Sequence, residues 1–366
     1  MKKFKPFKMA SYSQNWPTNT ATILHSSNPE PFNWHELTAL TQLDLKQIIK
    51  DCPMAYESTQ GNPQLREQLI PAYLPTLKTN DLVLTSGAQE GIFLVFNSLL
   101  EAGDEVLTFT PCFEPLVSVA QEAGANVSLL ELNRDNWSIP WQSLADAINE
   151  RTKMLVINFP HNPTGSCITP NELERLVSLC EKHGIWIFSD EVFRGLEHSE
   201  QPRLQSVAER YTKSVSMGVM SKSMALPGIR LGWLATQDSQ LIQRCLEIKS
   251  HLSICQSSLD AHLTTHLLPF TEQLLERNLS IIETNKNMVK HLLSKHTKFK
   301  CSFPQGSATA FIELMDHAAE DFCNKLLQEK NIFVMPSPAF LTGHSGFRLT
   351  LGKRQAEPLY QTIFNS

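Results

Sequence analysis

From about Asp81 to Thr236 the chain alternates short apolar runs with longer stretches whose apolar residues recur at helical spacing. The runs Leu82–Thr85, Glu105–Phe109, Val127–Leu130, Met154–Asn158, Ile185–Phe188, Val215–Val219 and Leu231–Ala235 predict strands. Between them Glu90–Leu100, Glu114–Ala123, Trp141–Asn149 and Asn171–His183 predict helices, the last announced by Thr169-Pro170. Strand and helix in alternation imply an α/β fold with a large, mostly parallel sheet covered on both faces. Sheets of this kind collect ligands at the carboxyl ends of their strands.

After Asp238 the texture changes to helical stretches, Asp238–His251 and Leu259–Leu293, and then to short strand-like pieces around Phe311, Phe333 and Phe347. That tail reads as a smaller α+β domain. The first 45 residues, rich in Ser, Asn, Pro and Thr, are assigned to it as well. The expected division is a large domain over 46–250 and a small one over 1–45 and 251–366. A length of 366 residues fits two domains, and 42% hydrophobic against 19% charged residues fits packed cores. The net charge of −5 leaves no broad basic surface for nucleic acid. Eight scattered cysteines without a C-x-x-C pair fit a reducing cytoplasm. The N-terminus, basic through Lys2, Lys3, Lys5 and Lys8, has no apolar region behind it, so a solvated tail is expected rather than a secretory signal. The longest apolar stretches, such as Gly91–Phe96, fall far short of the roughly 20 residues of a membrane span.

Chemistry is concentrated at the predicted strand ends. After the first strand, Thr85-Ser-Gly-Ala-Gln-Glu-Gly91 is a small-residue turn opening a helix, either an anion site or a plain connection. After Met154–Phe159, the loop Pro160-His-Asn-Pro-Thr-Gly165 holds the Asn162 amide rigidly, or is only an Asn-Pro turn. After Ile185–Phe188 come Asp190 and Glu191; a carboxylate there either meets a cation such as a protonated ring nitrogen or caps the next segment. After Val215–Val219 come Ser221 and Lys222, with Arg230 eight residues on. A lysine at a buried strand end is partly desolvated, which frees its amine for a Schiff base, whereas most isolated lysines are solvated. Each site is ambiguous alone, but their order describes one cofactor.

The series Tyr56, Gln60-Gly61, Leu65-Arg66, Ser86-Gly-Ala-Gln89, Asn158-x-Pro-x-Asn-Pro-Thr-Gly165, Asp190-Glu-Val-Phe193, Ser221-Lys222 and Gly228-x-Arg230 resembles the fold-type I pyridoxal-phosphate enzymes, specifically the class I/II aminotransferases. The resemblance implies that Lys222 forms the internal aldimine and later moves the proton between substrate and cofactor. It implies that Asp190 pairs with the pyridinium nitrogen, Asn162 donates to the phenolic oxygen, and Phe113 stacks on the ring. Gly87, Ala88, Gln89, Ser221 and Arg230 would hold the phosphate. Tyr56 would reach the phosphate of the neighbouring subunit in a homodimer. Arg348, in Ser345-Gly-Phe-Arg-Leu349, would bind the substrate carboxylate, with Ser27 and Asn28 lining the same pocket.

Two positions depart from the family pattern. Phe193 stands where many relatives have Tyr, so the phenolic oxygen loses a donor, and Val219 stands where a Ser or Thr helps grip the phosphate. The implied activity is transfer of an amino group from an L-amino acid to a 2-oxo acid. The alternative is the chemistry of the capreomycidine-synthase-like branch, which Phe159-Pro-His-Asn162 and Glu191–His198 also resemble: cyclisation, elimination or oxidation of an arginine-like amino acid. A third possibility, a catalytically silent binding protein, is disfavoured by the intact Lys222, Asp190, Asn162 and Arg230. Other features read plainly. Met217, Met220 and Met224 fill core gaps. His262 and His266, four apart without a third ligand, read as surface groups rather than a metal pair.

Overall fold

A two-residue strand, β1 (Thr22–Ile23), precedes seven strands that realise the seven apolar runs: β2 (Leu82–Thr85), β3 (Glu105–Thr110), β4 (Asn126–Glu131), β5 (Thr152–Asn158), β6 (Trp186–Asp190), β7 (Ser214–Val219) and β8 (Gly232–Ala235). The computed structural model describes residues 6–14, 22–199 and 201–366, so Lys2, Lys3 and Lys5 lie outside it. The seven form one sheet in the order β2-β8-β7-β6-β5-β3-β4. Strands β4, β3, β5, β6 and β7 are mutually parallel, while β8 runs antiparallel to both β2 and β7. The connection from Val219 to Gly232 contains no helix, so the chain returns beside β7 in the opposite direction. Gly218 permits that return: a Cβ there would lie 2.3 Å from the Trp233 ring.

Side chains along the strands divide between two apolar layers, as a pleat of period two requires. In β5, Met154 and Val156 pack with Phe96, Phe188 and Met217, whereas Leu155 and Ile157 pack with Leu173, Leu176 and Val177. Helix Ala88–Leu99 covers the first face and helix Pro170–His183 the second. The second helix begins as its sequence predicts, with Thr169 and Glu172 exchanging capping hydrogen bonds, and ends at Gly184 with φ 66°. Fully buried side chains such as Phe188 each contribute about 1.5–3 kcal/mol through burial. Met217, Met220 and Met224 lie in the first layer.

The smaller sheet holds β9 (Phe299–Lys300), β10 (Thr309–Leu314), β12 (Met335–Pro336) and β13 (Gly346–Thr350), antiparallel in the order β12-β13-β10-β9, while β11 (Ile332–Phe333) pairs in parallel with β1. The long helical stretch expected over Leu259–Leu293 is two helices, Ser258–Leu267 and Thr271–Leu293, joined by a tight turn at Leu268–Phe270. Pro269 has no N–H to continue the first helix, which explains the break. The N-terminal segment lies along the small sheet: the Leu24 N–H donates to Phe333 O (2.8 Å), Thr350 N–H to Leu24 O (2.9 Å) and Glu30 N–H to Gly352 O (2.7 Å). It then reaches the β7–β8 connection, where Phe32 N–H donates to Ala225 O at 3.2 Å, three residues from Lys222. Among the described residues no helix is long and apolar enough to cross a membrane.

Candidate active site

The pairing of β5 with β6 places Asn158 opposite Asp190, and Asn158 uses both ends of its amide there. Its Nδ2 donates to Asp190 O and its Oδ1 accepts the Asn162 N–H, both at 2.9 Å. One strand-terminal amide thereby fixes the two loops that carry Asp190 and Asn162. Asp190 is 3% exposed, and no cation lies within ion-pair distance of it among the described residues. Burial pushes its carboxyl up to about 7; the Val192 N–H, which donates to Oδ1 at 3.2 Å, and the Lys222 charge oppose that rise.

Lys222 lies three residues past the end of β7, half-buried, and its Nζ donates to Ser27 Oγ at 2.7 Å. Burial lowers its amine to about 8; the Arg348 charge adds to the effect, Asp190 opposes it and Arg230 contributes further. An uncharged, nucleophilic fraction is therefore available near neutral pH. Ser27, itself buried, comes from the N-terminal segment that the small sheet holds in place.

Arg348, on β13, is 3% exposed and has no carboxylate partner among the described residues. Its Nε donates to His25 O at 3.0 Å, its Nη2 donates to the same carbonyl, and its Nη1 donates to Asn162 Oδ1 at 2.9 Å. The guanidinium lies 5.0 Å from the centre of the Phe340 ring. Burial lowers its pKa to about 9, and the group remains cationic at neutral pH. A buried guanidinium held only by neutral acceptors is a receptor for a carboxylate. Because arginine only donates, Asn162 must present Oδ1 to it, which leaves Nδ2 as the amide's donor.

The Ser86–Gln89 turn opens helix Ala88–Leu99, whose N-terminus has no side-chain cap. Gly87 adopts φ +83°, and a Cβ there would lie 2.6 Å from Arg230 Nη2. Glycine thus admits both the turn and the guanidinium beside it. Arg230 is exposed, with Nη1 donating to Pro227 O at 3.1 Å. Ala88 and Ser221 are half-buried and Gln89 is exposed. Free helix N–H groups beside a guanidinium suit a phosphate.

Of the remaining candidates, Phe113 is half-buried against the first apolar layer, and Phe193 is fully buried in that layer. Asn28 directs its side chain locally, accepting from Ser26 Oγ and donating to Pro29 O, both at 2.9 Å. Tyr56 is 85% exposed. His262 and His266 are half-buried, with ring centres 4.7 Å apart, and no group of metal-binding side chains occurs among the described residues. Sequence reasoning assigned no role to the Asn158 side chain, although its place at a strand end was a usable signal. It also passed over the His25 carbonyl, which no residue type announces, and Phe340.

These residues fit pyridoxal phosphate on their own chemistry. The uncapped helix N-terminus at Gly87, with the Arg230 guanidinium beside it, suits an oxyanion, the buried Asp190 carboxyl has no cationic partner among the described residues, and Lys222 presents an amine with a lowered pKa. The family of class I and II aminotransferases matches residues 45–359. A probable kynurenine–oxoglutarate transaminase of Saccharomyces cerevisiae is 33% identical over 59% of this chain, although the match spans only 53% of the yeast protein. Capreomycidine synthase of Streptomyces vinaceus is 28% identical over 87% of this chain and 82% of its own. The crystal structure of a PLP-dependent aminotransferase from Streptococcus suis superposes with a TM-score of 0.91 at 26% identity, covering 100% of this chain and 96% of that one. With fold and family in agreement, the chain belongs to the class I and II aminotransferases, pyridoxal-phosphate-dependent enzymes of fold type I.

Proposed function

We propose that the chain transfers an amino group from an L-amino acid to a 2-oxo acid, with Lys222 as the base and Arg348 as the carboxylate receptor. The observation that carries this reading is the run of hydrogen bonds that gathers these groups: Asn158 ties Asp190 to Asn162, Asn162 accepts from Arg348, and Arg348 grips the His25 carbonyl two residues from Ser27, which accepts from Lys222. Pyridoxal phosphate, when bound, supplies an aldehyde that condenses with amines and a ring that takes up the electron pair left at Cα. Arg348 binds the substrate carboxylate and orients the Cα–H bond. Lys222 would take the Cα proton on Nζ and deliver it to the cofactor's aldehyde carbon, C4′, and Ser27 Oγ accepts a hydrogen bond from that nitrogen. Asp190, as the carboxylate, keeps the ring nitrogen protonated.

In this reading Asn162 donates through Nδ2 to the phenolic oxygen, Phe113 covers one ring face, and Phe193 offers no second donor. The N–H groups of Gly87, Ala88 and Gln89, with Ser221 and Arg230, hold the phosphate, and Asn28 belongs to the segment that lines the carboxylate pocket. Tyr56 serves a partner subunit in a homodimer, which its exposure and that of the neighbouring Met54 (83%) support. In this reading a large domain over 46–250 and a small domain over 1–45 and 251–366 share the site between them. Eight free cysteines support a cytoplasmic setting.

The test mixes holoenzyme with single amino acids, arginine among them, and no acceptor. Conversion of the cofactor to its pyridoxamine form is expected. The similarity to capreomycidine synthase over most of the chain favours a second reading, cyclisation, elimination or oxidation of an arginine-like amino acid. Oxygen uptake, or a cyclised product without pyridoxamine, would establish that reading and overturn transamination.

A further inference from the structure

Behind the phosphate turn lies a buried charge pair that the mechanism above does not use. Lys249, in helix Ser239–Leu252, is fully buried. Its Nζ lies 3.3 Å from Glu90 Oε1, 3.2 Å from Glu90 Oε2 and 3.1 Å from Ser253 Oγ, so its hydrogen-bonding capacity is used within this cluster. Glu90, in the first turn of helix Ala88–Leu99, also accepts the Ser253 hydroxyl on Oε1 and the Ser86 N–H on Oε2. The Lys249 carbonyl in turn accepts the N–H groups of Ser253 and Ile254, both at 3.0 Å. The ammonium is thus held by a helix end, and the carboxylate holds the turn.

Glu90 fixes the residue that precedes Gly87, turning the Ser86 N–H inward and leaving the following N–H groups uncapped for an anion. A carboxylate at that place also carries a cost. It is three residues from the glycine that receives the phosphate, and two anions so close repel strongly where water is scarce. Lys249 cancels that charge from within the fold, through Nζ contacts of 3.3 and 3.2 Å to the two carboxylate oxygens.

We infer that Lys249 is a positioning residue for the cofactor phosphate: it neutralises Glu90, so that Glu90 can lock the Ser86–Gly87 turn without repelling the anion bound there. This rests on the reading of that turn as the phosphate site. The consequence is specific to the phosphate. Substituting Lys249→Met leaves Glu90 buried and uncompensated beside the turn, so affinity for pyridoxal phosphate falls while affinity for pyridoxal, which lacks the phosphate, does not.

The experiment titrates wild type, Lys249→Met and the double variant Glu90→Gln/Lys249→Met with pyridoxal phosphate and with pyridoxal, following absorbance. Lys249→Met is expected to lower the ratio of the two affinities by about tenfold, the order of effect of one uncompensated charge. Removal of both charges in the double variant is expected to restore most of the ratio. Equal losses for both ligands, or no restoration in the double variant, would overturn the inference by making the pair a packing element only. If Lys249→Met does not fold, the double variant and Glu90→Gln carry the test: the ratio must stay near wild type in the first and must not fall in the second, where a cation rather than an anion is left beside the turn. A wild type that binds both ligands equally would overturn the phosphate reading itself. A wild type that prefers the phosphorylated ligand, with an unchanged ratio in Lys249→Met, would overturn only the role given to Lys249.

Discussion

Asp190 is a carboxyl whose surroundings favour the proton until a cation arrives. Its pKa stands near 7 in the folded protein against an ordinary value of 3.8, and burial is the main cause. Between those values the folded chain binds more protons than the unfolded one, so stability falls as pH rises through this window; below it the group is neutral in both states. Cofactor-free wild type should therefore lose stability relative to Asp190→Asn from about pH 4 to about pH 7, by on the order of a few kcal/mol. Thermal melts of both proteins across that range provide the measurement, and parallel curves would sink the claim. Saturating cofactor should flatten the wild-type curve, because a ring cation favours the ionised form. At this scale the sequence was informative wherever a residue type has few reasons to stand at a strand end, as with Asp190, Asn162 and Lys222. It was silent on the His25 carbonyl that supports Arg348, since every residue carries a carbonyl.

In the proposed function, the turn at Gly87 converts backbone shape into phosphate binding. An alanine there meets two penalties: a φ of +83°, which costs roughly 1 kcal/mol or more for a residue with a Cβ, and a contact of 2.6 Å with Arg230 Nη2. Arg230 is exposed and its side chain can swing aside, so the fold survives but the guanidinium leaves the proposed phosphate site. Gly87→Ala should weaken pyridoxal-phosphate binding by about tenfold with only a small loss of thermal stability. Equilibrium dialysis beside a melting curve would check this, and undiminished affinity would show that the turn does not hold the phosphate. Strands were the most legible elements, because nearly continuous apolar runs bounded by polar turns have few other uses. Helix limits were less so: Pro269 stands inside an apolar pattern that continues on both sides of it, so periodicity alone joined two helices that the missing N–H separates.

At the level of the whole molecule, long separations in sequence hide what the fold brings together. Glu90 and Lys249 are 159 residues apart and read as an ordinary helix acid and helix base until the packing places them face to face. Arg348 and His25 are separated by 323 positions. The same limit applies beyond one chain, since no pattern in a single sequence reports which surface a second copy covers. Tyr56 makes that question testable. At 85% exposed it is available to another subunit, and the proposed reading sends its hydroxyl to the partner's phosphate. Consider one subunit carrying Tyr56→Ala and another carrying Lys222→Ala, each inactive or nearly so as a homodimer. In a mixed dimer, shared sites would give one site both intact residues and the other neither. Random reassortment should then restore about a quarter of the wild-type sites. If Tyr56 instead served its own subunit, each mixed site would lack one of the two residues and mixing would restore nothing. Activity measured after co-refolding the two variants, compared with either alone, separates the cases, and the absence of recovery from a verified mixed dimer would remove Tyr56 from the shared site.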